Sequence, residues 1–422
     1  MTKQQMELHL KVEKNLIARE SVTRRVIEIK LRAPKLMAAR EERIPLNLAL
    51  VIDRSGSMGG DKIDYVRRAA GHVIELLNEK DRASVYIYDD LVDCIMPSAF
   101  MTEENRRRCV SAINEVTTRG STNLCDGWLA GCEAVAQHLN AETINRVLLL
   151  SDGLANQGIT STTQLGLHAA EINQRGIATS TFGVGFDFNE HLLERMSNQG
   201  GGNFYYIEQP GQIQEIFLQE LEDLLNVSVK EVAISLPLAN GTVSYEILGG
   251  WKHTAVDDAL QIHIGALAEG QERSLYLVAN LPASQDEQDI SLPIVLQALD
   301  ENAQAFEQKQ EIVFNYATLV ECEAAPFDKE LMEHFGRVYL SDTTREALIL
   351  ERKGHHRQAS QLMQDAISMN RPYMSPDELR QFERRNEQIK DGLTEMKRKR
   401  MHYNTFRDSR SRGYDKAMDE EE

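Results

Sequence analysis

The chain has 422 residues, 42% of them hydrophobic, with a formal net charge of −18 and a pI near 5.2. That length accommodates two or three domains with a sizeable core, and the acidity argues against a general role on nucleic acid or an anionic membrane. No apolar run reaches the roughly 18 residues of a membrane span, the N-terminus lacks the apolar core of a signal peptide, and five cysteines without zinc-like spacing point to a reduced, cytoplasmic protein.

Residues 7–34 alternate with period two, as in Leu8-His-Leu-Lys-Val-Glu and Arg24-Arg-Val-Ile-Glu-Ile-Lys-Leu. Such alternation predicts antiparallel strands with one solvated face. From 44 to 226 the pattern changes. Apolar runs at 46–52, 83–88, 147–150, 178–184 and 204–207 predict strands, with 91–96 a short hairpin partner. Helical spacing covers 62–78, 103–116, 124–139, 164–175, 189–197 and 212–225. Thr122 stands at the cap position of the helix from 124, and Gly200-Gly-Gly202 reads as a turn before strand 204–207. Strands alternating with helices predict an α/β fold, a doubly wound, mostly parallel sheet covered on both faces.

Residues 227–316 return to period two, as in Val232-Ala-Ile-Ser-Leu and Leu260-Gln-Ile-His-Ile. Neither flank makes a domain alone. Segments 1–40 and 227–318 are therefore read as one discontinuous antiparallel β-sandwich, with 44–226 inserted in it. Residues 327–403 form a C-terminal α-helical region. A pair over 343–369 carries Gly354, Ala359 and Ala366 and ends at Pro372, and Ser375-Pro-Asp-Glu starts one charged helix over 377–403. The pair weakly resembles a tetratricopeptide unit over roughly 340–372, and a generic helical hairpin is the preferred reading. Residues 404–422, basic at Arg407, Arg410 and Arg412 and acidic over 419–422, read as a disordered, solvated tail rather than a nucleic-acid arm.

The segment Asp53-Arg-Ser-Gly-Ser-Met58 follows the strand at 46–52. Asp53, Ser55 and Ser57 put hard oxygen donors on one tight loop. Thr122, in Gly120-Ser-Thr-Asn, and Asp152, in Ser151-Asp-Gly, complete the set. Asp53 and Asp152 fall at carboxyl ends of strands, where open α/β sheets bind ligands. Oxygen donors in this number suit Mg²⁺, or Mn²⁺ or Ca²⁺. The plainer alternative is that Ser55 and Ser57 only cap the following helix and Asp152 only ends a strand. Asp61 is read as charging that helix start, with a second cation as the alternative. Asp126 is read as a hydrogen-bonding neighbour of the oxygen cluster, and Cys125 and Cys132 as buried thiols.

This constellation resembles the von Willebrand factor type A domain with an intact metal-ion-dependent adhesion site, over about residues 44–226. The flanking β-segments loosely resemble those of intracellular and inter-α-inhibitor-like members. The resemblance implies that Asp53, Ser55 and Ser57 are first-loop ligands, that Thr122 is the threonine ligand, and that Asp152 is the distal aspartate, usually acting through water. It implies a protein partner presenting Asp or Glu to the open position, because a hydroxyl-rich shell leaves the ion short of negative charge. It also implies that a helix such as 210–226 shifts when that ligand engages. No nucleophile elbow, phosphate loop or dinucleotide fingerprint is visible. The chain is therefore read as non-enzymatic: a metal-dependent protein-binding module serving as a scaffold or assembly or regulatory component. Two alternatives remain, a metal-stabilised scaffold whose helical tail binds the partner and a metal-assisted hydrolase. The partner, the pathway and the oligomeric state are not written in the sequence.

Overall fold

The computed structural model describes residues 6–35, 43–239, 242–284 and 288–410. The first alternating segment gives β1 (Glu7–Val12), β2 (Leu16–Ala18) and β3 (Thr23–Arg32). The middle of the chain follows with β4 (Leu46–Asp53), α1 (Asp61–Leu76), β5 (Arg82–Tyr88), β6 (Val92–Phe100), α2 (Glu103–Asn114), α3 (Leu124–Ala136) and β7 (Ile144–Ser151). It closes with α4 (Thr162–Gln174), β8 (Ala178–Val184), α5 (Glu190–Gln199), β9 (Gly201–Ile207) and α6 (Ile213–Leu225).

These strands order as β6-β5-β4-β7-β8-β9, parallel throughout except for β6 against β5. Every residue of β4 and β7 is buried, as expected for central parallel strands covered on both faces. Leu46, Leu48, Leu50 and Ile52 point to a core built with α1, α2 and α6, whereas Ala49 and Val51 point to one built with α3, α4 and α5. Glycine lets α3 come close: a Cβ at Gly127 would lie 2.6 Å from the Tyr88 ring, and one at Gly131 would lie 2.4 Å from Val51.

The second alternating segment gives β10 (Val227–Pro237), β11 (Ser244–Ile247), β12 (Lys252–Val256), β13 (Ala259–Ala268), β14 (Glu272–Leu281), β15 (Ile290–Asp300) and β16 (Ala305–Ala317). Two sheets result, β1-β3-β14-β11 and β12-β13-β10-β15-β16-β2. β3 pairs with β14 from Thr23 opposite Leu281 to Arg32 opposite Glu272, so the two chain segments share one sheet. Ile27, Ile29 and Leu31 of β3 share a core with Ile234, Leu296 and Phe314 of the other sheet. The chain leaves this sandwich after β3 and re-enters it at β10, one residue past α6. One strand departs from the antiparallel expectation: β2 joins β16 in parallel.

The rest is helical: α7 (Leu319–Ala324), α8 (Lys329–Arg352), α9 (His356–Asn370), α10 (Pro376–Asp391) and α11 (Glu395–Ser409). Three expectations are corrected here. The single helix over 377–403 is two helices, because Gly392 takes φ 90° and Thr394 caps α11 by accepting from the Lys397 N–H. The expected tail from 404 begins inside α11, where Thr405, Phe406 and Ser409 are buried; residues 411–422 lie outside the described residues. Gly201 and Gly202 belong to β9 and not to a turn, since a Cβ at Gly202 would meet the Thr179 carbonyl oxygen at 2.1 Å. The helical pair expected over 343–369 turns at Gly354 (φ 80°), but its first helix starts at Lys329, and it packs with α10 and α11 around Leu340, Met363, Phe382 and Met401.

Candidate metal centre

The loop after β4 carries Asp53, Ser55 and Ser57. Asp53 closes the strand fully buried, and its Oδ1 accepts the Ser55 N–H at 2.8 Å, which turns the chain back over the sheet edge. Its Oδ2 accepts from the Ser151 hydroxyl at 2.9 Å, with the Tyr88 hydroxyl 3.5 Å away. The Ser55 and Ser57 hydroxyls lie 3.1 Å apart, and Ser57 Oγ donates to Asp152 Oδ1 at 2.7 Å. Thr122 approaches from the third loop: a Cβ at Gly153 would lie 3.3 Å from Thr122 Oγ1 and 3.6 Å from Ser57 Oγ, so both hydroxyls border the same small space. The structure thus brings together Asp53, Ser55, Ser57, Thr122 and Asp152.

Neither serine works as a helix cap. The short 3-10 turn Gly56–Met58 and helix α1 both start without a side-chain cap bond. Thr122 does not cap α3 either, because Asn123 does, accepting from the Asp126 N–H. Asp126 instead takes a 2.7 Å hydrogen bond from the Asn123 side chain, so it braces the helix start and not the oxygen cluster.

A lattice of charges holds the loops in place. Arg54 pairs with Asp89 at 2.9 Å and also with Asp93, and Arg119 pairs with the same two carboxylates at 2.7 and 3.1 Å. The Arg119 N–H donates to the Arg54 carbonyl at 2.9 Å and the Gly56 N–H to the Gly120 carbonyl at 3.2 Å, which staples the Thr122 loop to the Asp53 loop. Gly120 sits at φ 69°, and a Cβ there would lie 2.0 Å from Asp90 Oδ1. The sequence reading missed four contributors: Ser151, Tyr88, the Arg54–Arg119 pair and Lys62. Lys62 Nζ lies 2.5 Å from Asp152 Oδ2. A lysine in the first turn of a helix, against the local dipole, was the available signal.

The donor set fits a hard dication. Two carboxylates and three hydroxyls converge from three loops, and no cluster of three or more His, Cys, Asp or Glu exists among the described residues to favour a softer metal. Burial pushes the Asp53 carboxyl up to about 6, against hydrogen bonds from Ser55 and Ser151. No basic side chain forms an ion pair with Asp53 among the described residues. A buried carboxylate without a counter-charge is costly, and a bound cation removes that cost.

Residues 47–219 match the family model of the von Willebrand factor type A domain. This part of the chain is a von Willebrand factor type A domain. The chain is 29% identical over 200 residues to the uncharacterized protein sll0103 of Synechocystis, covering 47% of this chain and 46% of that protein. It is 28% identical over 162 residues to inter alpha-trypsin inhibitor heavy chain 4 of Mus musculus, covering 37% of this chain and 17% of that one. The chain therefore spans less than half the length of these curated relatives. The structure of a von Willebrand factor type A protein from Catenulispora acidiphila superposes with a TM-score of 0.69 at 16% identity, over 86% of this chain and 88% of that one. That likeness extends well beyond the type A domain and shows the fold of the larger part of the chain.

Proposed function

We propose that the chain is a non-catalytic, metal-dependent protein-binding module. Asp53, Ser55, Ser57 and Thr122 would hold Mg²⁺, or alternatively Mn²⁺ or Ca²⁺, with Asp152 reaching the ion directly or through water. The observation that carries the reading is the fully buried Asp53 with no cationic partner among the described residues, in a loop whose Ser55 and Ser57 hydroxyls lie together and run on through Ser57 to Asp152, with the Thr122 hydroxyl bordering the same space as Ser57. Such an ion polarises whatever oxygen completes its coordination. The chain supplies few negative charges to it, so the favoured incoming group is an Asp or Glu side chain of a partner protein.

A hydrolytic role has less support. Asp53 already accepts from the Ser55 N–H and the Ser151 hydroxyl, and Asp152 accepts from Ser57 and Lys62, so both carboxylates are committed as acceptors rather than poised to take a proton from water. A scaffold or assembly role in the cytoplasm goes with this reading, supported by five cysteines that all stand as free thiols.

The test is a calorimetric Mg²⁺ titration of wild type and Asp53→Ala, followed by partner capture from wild type, Asp53→Ala and Thr122→Ala with and without chelator. The expected result is loss of metal binding in Asp53→Ala and loss of capture in both variants and under chelation. Equal Mg²⁺ affinity in wild type and Asp53→Ala would overturn the metal assignment. Capture indifferent to variants and chelator would move the binding surface to the helices or the sandwich.

A further inference from the structure

We propose that Lys62 is a tethered cation that sets the charge of the metal centre, weakening the site's hold on the ion while leaving the loaded site positive enough to take a carboxylate. The inference rests on the metal-binding reading above and assigns a role to a residue that lies outside the oxygen donor set.

Lys62 is the second residue of α1, where the helix N-terminus disfavours a cation. Its Nζ nevertheless reaches Asp152 Oδ2 at 2.5 Å and donates to the Ser57 carbonyl at 3.2 Å. The side chain is only 23% exposed. Across from it is Gly185, at φ 72° in the loop between β8 and α5, where a Cβ would sit 3.5 Å from both Cε and Nζ of Lys62. One ammonium therefore bridges two loops of the site, the Ser57 loop and the Asp152 loop, and faces the Gly185 loop. The other nearby cations are engaged elsewhere, since Arg54 and Arg119 both pair with Asp89 and Asp93.

The charges then have a definite sum. Asp53 and Asp152 contribute two negative charges and Lys62 one positive, so the protein side of the site carries a net single negative charge. A dication turns that into a net single positive charge, which attracts one carboxylate. Without Lys62 the loaded site would be neutral. It would hold the metal more tightly, because one like charge is gone and Asp152 is released from its ion pair. It would attract a carboxylate less. Opposite effects on the two ligands are the signature, and a lysine that merely packed the loop would not produce them.

The experiment uses the full chain with Mg²⁺ alone, then with acetate as the carboxylate probe. Calorimetry should show Lys62→Met binding Mg²⁺ at least roughly tenfold more tightly than wild type, the scale of a charge interaction over a few ångströms even with the full screening of bulk water. Lys62→Arg, which keeps the charge, should stay near wild type. In the Mn²⁺-loaded proteins, paramagnetic relaxation of the acetate methyl protons should be strong in wild type and Lys62→Arg and clearly weaker in Lys62→Met. If Lys62→Met does not fold, Lys62→Gln provides the same neutral test. An Mg²⁺ affinity in the neutral variant equal to or below wild type, or an unchanged acetate effect, overturns the proposal. Asp53→Ala run alongside separates the two levels: if it binds Mg²⁺ as wild type does, the metal reading itself fails, whereas loss of binding there with no tightening in Lys62→Met removes only the role of Lys62.

Discussion

Asp53 combines full burial with the absence of a counter-cation among the described residues, and that combination has a measurable consequence in the metal-free protein. A buried, unpaired carboxylate is a stability cost of a few kcal/mol. Asp53→Asn keeps the shape and removes the charge, so metal-free Asp53→Asn should melt at or above the wild-type temperature. Added Mg²⁺ should raise the wild-type melting point, because a ligand that binds only the folded state stabilises it, and should leave the variant unmoved. A metal-free variant that melts well below wild type would show that Asp53 is structural rather than a ligand. Gly153 tests the neighbouring space. A methyl there meets Thr122 Oγ1 at 3.3 Å and Ser57 Oγ at 3.6 Å. Gly153→Ala should therefore cut Mg²⁺ affinity about tenfold or more, because the methyl competes with the ion for the space between the hydroxyls, and the crowded contact should also lower metal-free stability by up to roughly 1–3 kcal/mol. Unaltered affinity would mean that the ion does not use the space between these two hydroxyls.

At the level of elements, the contact between α11 and α5 carries most of the unexpected chemistry. Lys399 is almost fully buried, donates to the Phe188 carbonyl and pairs with Glu190 at 3.0 Å, and Arg352 reaches the same carboxylate at 2.6 Å. Glu194 takes His402 at 2.5 Å and Arg345 at 3.0 Å. Burial alone would raise both carboxyls. Lys399 and Arg352 outweigh it at Glu190, and His402, Arg345 and Arg410 at Glu194, holding each down at about 2. Burial, aided by His402, pushes His191 down to about 4. The signs agree. The glutamates contribute stability above their ordinary value of 4.5, and it is lost as pH falls toward 2; His191 is neutral in the fold, so its protonation in the unfolded chain removes stability between pH 6.5 and 4. Stability should fall steadily as pH drops from 6.5 to 4 and faster below, by up to about 3 kcal/mol per group, and the melting temperature with it. His191→Asn should flatten the upper part of that curve, and a wild-type profile flat from pH 7 to 4 would contradict the assignment. Little of this contact was legible in the sequence, because it joins residues about two hundred positions apart and lies partly in a segment whose charge reads as solvated. The strands, by contrast, were legible: alternation in 7–34 and unbroken apolar runs at 46–52 and 147–150 report how many faces of a strand are buried. The oxygen cluster was equally legible because its donors lie beside strand ends or, for Thr122, a helix start. Ser151 and Tyr88 were not, since each looks like an ordinary strand-end or core residue until the fold brings it to the site, and Lys62 was marked only by its place against the dipole of its helix.

For the whole molecule, the question is whether the inserted domain stands alone. Continuity of its sheet and cores over 44–226 argues that it does. The aromatic packing argues that it is incomplete. Phe204 meets Tyr403 at 5.9 Å and Phe406 at 5.7 Å, and Tyr206 meets Tyr403 at 6.1 Å, all edge-to-face. Lys399 Nζ lies 4.0 Å over the Phe188 ring, and Phe406, 1% exposed, belongs to the same core as Trp128, Phe188 and Leu193. β9 is the edge strand of the sheet, and α11 covers aromatic side chains that point away from α6 on that edge. A fragment of 44–226 therefore leaves Phe204 and Tyr206 exposed as a contiguous apolar patch, together with Glu190 and Glu194 stripped of Lys399 and His402. Exposing one large aromatic face costs about 2–3 kcal/mol, and losing partners of buried carboxylates adds to it. The fragment should fold, bind Mg²⁺ through its own loops, melt well below the full chain and self-associate through β9. A synthetic peptide of residues 394–410 added in trans should raise its melting point and restore the monomer, whereas the same peptide with Phe406→Ala and Lys399→Ala should not. Sedimentation with and without the peptide reads the association, and thermal denaturation reads the stability. A fragment that is monomeric and as stable as the full chain, and indifferent to the peptide, would show that α11 is an accessory on this domain rather than part of its core.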